Sequence, residues 1–128
     1  MSEAVETVRE LYRAFAQRDS ETIRRIFDPE IEWNQMDGWP NGGRYVGTDQ
    51  VLNQVFAKFR AHWDEWGAEV DEYLDAGGVV IALGHYSGRG KRTGKAVRAA
   101  FAHVYTLRSG QIVKFVQYAD TYRVVEGL

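Results

Sequence analysis

One carboxylate near the end of the chain, Asp120, stands in surroundings where a charge is unusual. It lies between Tyr118 and Tyr122 in the run 115–123, where large side chains alternate with small or polar ones as in a β-strand. Strand interiors usually exclude Asp, and apolar neighbours make a buried charge unfavourable. On the concave face of a sheet, desolvation would favour the protonated carboxyl group and let it shuttle protons near pH 7. The sequence therefore indicates Asp120 as a catalytic acid or base; the alternative is a structural carboxylate that is hydrogen-bonded to backbone or paired with Arg98, Arg108 or Arg123.

His103 is the second candidate for a catalytic role. It alternates with Phe101 and Tyr105, so these three side chains are predicted to share one face of a strand. The histidine could act on one end of a ligand while Asp120 acts on the other end. A structural or pocket-lining role for His103 is the alternative, and the sequence leaves both open.

The spacing of the two candidates argues against a direct hydrogen bond between them. A two-residue turn at Ser109-Gly110 makes facing residues those whose numbers sum to 219, which places Asp120 opposite Ala99 and His103 opposite Val116. Four strand residues then separate the two sites, roughly 13 Å at the usual rise. Contact is therefore not expected unless a β-bulge shifts the register.

Aromatic side chains are plentiful, with four Trp, seven Tyr and six Phe. This exceeds what core filling requires and suits a cavity for a flat, apolar ligand. The predicted substrate-binding residues are Trp33, Trp39, Tyr118, Tyr122, Phe101 and Phe15. Aromatic residues at helical spacing are usually core, however, and core is the favoured interpretation for Phe15, Phe56 and Phe59.

Composition disfavours several other classes of function. The net charge of −2 gives no electrostatic support for nucleic-acid binding. The chain has no cysteine, so it has no disulfide, thiol nucleophile or cysteine-bound metal. Its three histidines are scattered without carboxylates at ligand spacing, so no metal site is predicted. No apolar run reaches the length of a membrane span and the N-terminus does not read as a signal peptide, so a cytoplasmic protein is expected.

The elements that must position these residues are three helices followed by four long strands. Apolar residues at helical spacing predict helices over residues 3–18, from Asp19 or Ser20 to Pro29, and from Thr48 or Asp49 to Trp63. A short strand around Trp33 lies between the second and third helices, followed by a glycine-rich loop at 35–47 whose length is typical of a lid. The long strands are predicted at 66–74, 79–89, 95–107 and 111–125 as an antiparallel meander. This order predicts one α+β domain over residues 1–128, with the helices covering one face of a curved, mainly antiparallel sheet.

The order of motifs resembles the NTF2-like superfamily, particularly its SnoaL-like and ketosteroid-isomerase-like branch. The segments that carry the resemblance are Phe15–Asp19, Ile26–Trp33, Tyr45–Gly47, Thr93–Gly94, Phe101–Tyr105, Ser109–Ile112 and Gln117–Thr121. The resemblance implies a cone whose mouth lies between sheet and helices, and a homodimer formed through the other face of the sheet. It also implies an acidic residue on the last strand, matched here by Asp120, that works without a metal or organic cofactor.

The resemblance and the residues together favour a cofactor-independent acid/base enzyme of the isomerase or cyclase type, acting on a small, apolar, carbonyl-bearing ligand. Asp120 would move the proton, and His103, Tyr118 or Tyr122 would stabilise the enolate. The ketosteroid isomerase base falls within Trp33-Asn34-Gln35 here, a segment without a carboxylate, so that reaction is not expected. The alternative function is a non-catalytic binding or accessory module of the same fold.

Overall fold

The computed structural model describes residues 2–128 and has an α+β fold, as predicted. Its helices are α1 (Glu3–Ala16), α2 (Ser20–Ile26), α3 (Thr48–Val51), α4 (Ala57–His62) and α5 (Thr121–Glu126), with a π-helical segment (Leu52–Phe56) between α3 and α4. Its strands are β1 (Phe27–Gln35), β2 (Gly43–Val46), β3 (Trp63–Asp75), β4 (Val79–Gly90), β5 (Ala96–Arg108) and β6 (Gln111–Ala119).

The strands form one six-stranded sheet in the order β2-β1-β6-β5-β4-β3. Strands β3 to β6 make the predicted antiparallel meander, and β1 joins it in parallel beside β6. Helix α1 contacts β3 and β4, and α2 contacts β1 and β6, so the two helices together pack across the sheet. The helices bury their apolar stripe against the inner face, and the core lies between these two layers.

Local sequence accounts for the first two helices. Ser2 caps α1 by accepting a hydrogen bond from the Val5 N–H, and Asp19 caps α2 in the same way for the Thr22 N–H. The apolar stripe of α1, which includes Val8 and the buried Leu11, faces the sheet. The apolar stripe of α1 and the cap at the start of α2 are signals from which the sequence predicted these helices, whereas the Ser2 cap was not used in the prediction.

The region from 35 to 62 contains more structure than the sequence indicated. Part of the predicted loop 35–47 forms β2, which pairs with β1 through Trp33 and Tyr45. The predicted third helix is present, but its middle is π-helical and it ends at His62, because Trp63 has extended dihedral angles and begins β3. The rest of the loop is docked on the molecule, with Trp39 only 4% exposed.

The last predicted strand, 111–125, is wrong in its second half. Strand β6 ends at Ala119, and Asp120 begins the helix α5 rather than lying inside a strand. The Asp120 side chain accepts a hydrogen bond from the Arg123 N–H at 3.2 Å, which is the interaction of an N-cap. Helix α5 folds back towards β5 and buries Val124.

A β-bulge changes the predicted register between β5 and β6. Next to the turn, Leu107 pairs with Ile112, a sum of 219 as predicted. The register then shifts, Thr106 pairs with Lys114, and every later pair sums to 220. A one-residue shift moves each following side chain to the opposite face of the strand. His103 therefore lies opposite Gln117 instead of Val116.

Within residues 2–128, none of the helices combines the length and the hydropathy that crossing a bilayer requires.

Candidate active site in an aromatic cavity

A small cavity lies between the helices and the inner face of the sheet. Its volume is about 40 Å³, enough for a few water molecules at roughly 10–15 Å³ each. It is lined by Leu11, Tyr12, Phe15, Trp33, Phe56, Phe59, Ala68, Tyr86, His103, Tyr105 and Phe115. Within the described residues 2–128, the lining of this cavity includes no carboxylate. Because the volume is this small, a ligand larger than a few waters would have to displace aromatic side chains. It would meet an apolar wall with one polar region.

His103 is at the centre of that polar region. Its Nδ1 lies 2.6 Å from the hydroxyl of Tyr12, and its Nε2 lies 2.5 Å from the hydroxyl of Tyr86. The hydroxyl of Tyr105 donates to that of Tyr12 at 2.8 Å, which extends the chain. Helix α1 and strands β4 and β5 each supply part of this network, so its geometry depends on the packing of helix against sheet.

Gln117 fixes the other end of the network. Its Oε1 accepts a hydrogen bond from the backbone N–H of Met36 at 3.0 Å, so its Nε2 faces Tyr86 and donates to that hydroxyl at 2.9 Å. Gln117 and His103 are 2% and 4% exposed, respectively, so water competes little for these bonds. The amide thereby holds the Tyr86 oxygen as an acceptor and links β6 to the loop after β1.

Burial keeps the network in its neutral form. It lowers the pKa of His103 to about 3, because desolvation penalises the imidazolium. Burial also raises the pKa of Tyr12, Tyr86 and Tyr105, because desolvation penalises the phenolate. At neutral pH these four groups therefore act as uncharged hydrogen-bond donors and acceptors.

Stacked aromatic rings make the apolar walls. Trp33 stacks on Phe115 with ring centroids 3.7 Å apart, and Phe15 packs edge-on against Phe56 and Phe59. The predicted substrate-binding residues Trp33 and Phe15 thus line the cavity. Phe15, Phe56 and Phe59, for which core was favoured, are lining residues as well as part of the packing.

Two other predicted binding residues lie one layer away from the cavity. Phe101 stacks on the His103 ring, with ring centroids 3.8 Å apart, and does not itself line the cavity. Trp39 is buried against Phe59 and Tyr86, which do line it. Their positions are those of supports for the lining side chains.

The structure places Asp120, Tyr118 and Tyr122 outside the cavity. Tyr118 is 52% exposed and Tyr122 is 72% exposed. Asp120 forms an ion pair with Arg123 at 3.4 Å in addition to its capping bond. The expected concave placement of these three residues is wrong, because the bulge in β6 and the start of α5 redirect their side chains. The catalytic role of Asp120 remains a prediction without support from its position.

Three important residues of the site were not selected from sequence: Tyr12, Tyr86 and Gln117. Tyr12 occupies a position of α1 that faces the sheet, and Tyr86 and Gln117 occupy inward positions of their strands. Alternation along β4 could have identified Tyr86, because Val80, Ala82 and Tyr86 are all buried. Gln117 could not be identified in the same way, because the bulge changes which residues of β6 point inwards.

No group of three or more His, Asp or Glu side chains within the described part of the chain could hold a metal ion.

Comparison with known proteins identifies the family. The family model of the SnoaL-like domain, which is compared with the sequence, matches residues 8–115. The chain belongs to the SnoaL-like domain family. Its fold is that of NTF2-like proteins, so the resemblance seen in the sequence is confirmed. None of the curated proteins compared with the chain matches it.

Solved structures similar to this SnoaL-like protein include an NTF2-like protein from Burkholderia thailandensis E264. It is 35% identical over 99% of this chain and 98% of its own, with a TM-score of 0.92. TerC, co-crystallised with polyporic acid, is 23% identical over 98% of each chain, with a TM-score of 0.89. A putative SnoaL-like polyketide cyclase from Shewanella denitrificans OS-217 is 13% identical over 97% of this chain and 95% of its own, with a TM-score of 0.78. The last two show a shared fold.

Proposed function

We propose that this SnoaL-like protein binds a small, flat and largely apolar molecule in the aromatic cavity. The observation that supports this proposal is the Tyr12–His103–Tyr86 network, a buried polar region in an otherwise aromatic wall. Ligand sites commonly combine such walls with a few convergent polar groups. The co-crystal of TerC with polyporic acid adds that one protein of this fold was crystallised with a small molecule.

A binding assay with a cavity-filling variant tests this proposal. Ala68 lines the cavity, so Ala68→Val should reduce the affinity for aromatic ketones and lactones in calorimetry by tenfold or more, because its added methyl groups occupy ligand space. The same substitution at Ala96, an exposed position of β5, is the matched control and should leave affinity unchanged. If no member of the ligand panel binds the wild type, or if Ala68→Val binds as the wild type does, the proposal is wrong.

A second candidate function is proton transfer of the isomerase or cyclase type within the same cavity. It is favoured by the continuous hydrogen-bonded chain from Tyr105 through Tyr12 and His103 to Tyr86, along which a proton can be relayed. The pKa shifts oppose it, because an ideal catalytic group titrates near the working pH. Binding is therefore the primary proposal.

Deuterium exchange distinguishes these two functions. The α-hydrogens of 1-indanone, a small flat ketone, exchange with D₂O when an enol forms. An enzyme of the isomerase type should accelerate this exchange in NMR spectra, and Tyr12→Phe or Tyr86→Phe should slow it at saturating ketone. A pure binding module should hold the ketone and leave its exchange rate at the value in buffer.

We also propose a homodimer formed through the outer face of the sheet. The outward side chains of β5 include Ala102 and Val104, whose neighbours on β4 and β6 are Leu83, Ile81, Tyr118 and Val116. Several of these apolar side chains remain partly exposed in the single chain. Such a face is poorly suited to water and suits a second copy of itself. The absence of a cofactor and a cytoplasmic location remain predictions.

A further inference from the structure

The network around His103 carries one more hydrogen than its own contacts use. Tyr12, Tyr86 and Tyr105 each have one hydroxyl hydrogen, and a neutral histidine has one N–H. Three contacts join these four groups: Tyr105 to Tyr12, Tyr12 to His103, and His103 to Tyr86. Each contact uses one hydrogen. Four hydrogens and three contacts leave one hydrogen that the network itself cannot accept.

The tautomer of His103 decides where the spare hydrogen lies. If Nδ1 is protonated, it donates to Tyr12, and Tyr86 donates to Nε2. The spare hydrogen is then on the Tyr12–Tyr105 pair. If Nε2 is protonated, it donates to Tyr86, whose oxygen also accepts from Gln117, and the spare hydrogen is on Tyr86. All three tyrosines line the cavity, so either arrangement presents the hydrogen to a ligand.

Other buried polar atoms near this network are also hydrogen-bond donors without an acceptor. Within residues 2–128, the buried side-chain polar atoms without a hydrogen-bond partner are Gln35 Nε2, Trp63 Nε1 and Trp66 Nε1, and all are donors. Trp66 stacks on Tyr86, and Trp63 stacks on Trp66. Buried donors normally find an acceptor. This side of the core therefore has a surplus of hydrogen-bond donors.

We infer that the cavity selects ligands that carry a hydrogen-bond acceptor, foremost a carbonyl oxygen, and that the tautomer of His103 assigns the donor to Tyr86 or to the Tyr12–Tyr105 pair. The inference rests on the proposed binding function and adds the polarity of the ligand. A ligand without an acceptor would leave the spare hydroxyl hydrogen unpaired in a buried space, which is unfavourable.

Two probes of similar shape and opposite polarity test the selection. 1-Indanone offers a carbonyl acceptor and no donor, whereas indole offers an N–H donor and only its ring face as an acceptor. We expect calorimetry to give about tenfold tighter binding for 1-indanone, as one buried hydrogen bond provides. Equal or tighter binding of indole would overturn the inference while leaving the proposed function intact. Binding of neither these probes nor any ligand of the panel would overturn both.

The ¹⁵N shifts of the His103 ring test the tautomer rule, because they identify which ring nitrogen carries the proton. If the 1-indanone complex contains the Nε2–H form, Tyr86→Phe should reduce the preference over indole more than Tyr12→Phe does, because it removes the hydroxyl that donates to the carbonyl and leaves only the His103 N–H, which has lost its acceptor, as a replacement donor. If it contains the Nδ1–H form, these two effects should be exchanged. Tyr118→Phe, at an exposed position of β6, is the matched control and should retain the preference. A larger reduction in the variant opposite to the observed tautomer, or no reduction in either variant, would overturn the rule.

Discussion

At the scale of single residues, His103 illustrates how burial changes the use of a titratable group. In water the pKa of the histidine imidazole is about 6.5, closer to neutral pH than the pKa of any other side chain. In this fold it is 4% exposed, contacts two tyrosine hydroxyls and has a pKa lowered to about 3. Its chemistry at neutral pH is therefore that of an uncharged donor and acceptor.

The lowered pKa of His103 predicts a loss of stability in mild acid. The unfolded chain binds a proton at His103 below about pH 6.5, whereas the folded chain resists protonation down to a pKa of about 3. The free energy of unfolding should therefore fall by about 1.5 kcal/mol between pH 6.5 and pH 5, at a limiting slope of roughly 1.4 kcal/mol per pH unit. Urea unfolding at several pH values measures this slope.

The control for the pH dependence is a pair of His→Gln variants. His103→Gln lowers stability overall but should flatten the slope between pH 6.5 and pH 5, because the group that takes up the proton on unfolding has been removed. His62→Gln, at a half-buried position near the surface, should retain the slope. An unchanged slope in His103→Gln would show that the lowered pKa does not govern acid stability.

We expect Asp120 to stabilise helix α5, because its side chain accepts a hydrogen bond from the Arg123 N–H as an N-cap. Asp120→Ala should reduce the free energy of unfolding by about 1 kcal/mol, whereas Asp120→Asn should be nearly neutral, since Asn is an equally good N-cap. Neither substitution should alter ligand affinity in calorimetry. A loss of deuterium exchange in Asp120→Asn with its affinity and stability intact would instead support the catalytic role predicted from sequence.

At the scale of elements, the bulge in β6 has the largest consequence for function. Before it, Ile112 points inwards; after it, Phe115 and Gln117 do. One extra residue therefore turns Tyr118 outwards and brings Gln117 to Tyr86. Bulges are frequent next to ligand sites, where they redirect side chains.

A second irregularity, between β3 and β4, predicts the effect of a glycine substitution. Gly84 lies beside a register shift after Val70, and a Cβ there would lie 2.0 Å from the carbonyl oxygen of Glu69. Gly84→Ala should therefore lower the free energy of unfolding by about 2 kcal/mol or more, because backbone must move to admit the methyl group. Urea unfolding measures this loss. Gly67→Ala, with nothing within 4 Å of the added Cβ, is the matched control, and equal stability of the two variants would contradict the prediction.

At the scale of the whole molecule, the two faces of the sheet have separate roles. The inner face carries the cavity, and the outer face carries the apolar patch of β5 and its neighbours. Residues of one strand alternate between these faces. Substitutions on the outer face should therefore change assembly without changing ligand binding.

Val104→Arg tests the proposed dimer, because it places a charge in the middle of the outer face. We expect wild-type protein to have the mass of a dimer in light scattering at micromolar concentration and the variant to have that of a monomer, with ligand affinity retained. Val46→Arg, at an exposed position of β2, is the matched control and should remain dimeric. A monomeric wild type at that concentration would rule the dimer out.

The sequence by itself determined the fold class and most element positions, because local signals are written in it. Caps such as Ser2 and Asp19, apolar stripes and strand alternation depend only on neighbours along the chain. The same alternation correctly placed Phe101, His103 and Tyr105 on one face. Helix α5 also had a local signal, Asp120 as N-cap and Gly127 at the end, which the strand-like pattern before it concealed.

The tertiary structure alone decided which residues meet at the site. The bulge near Val113 depends on pairing between strands, and it changed the inward residues of β6 from Tyr118 to Gln117. The network joins Tyr12 of α1 to His103 of β5, which are 91 residues apart in sequence. Because register and long-range packing are set by contacts between distant segments, no local pattern could show that Tyr12 and Tyr86, rather than Asp120, are the partners of His103.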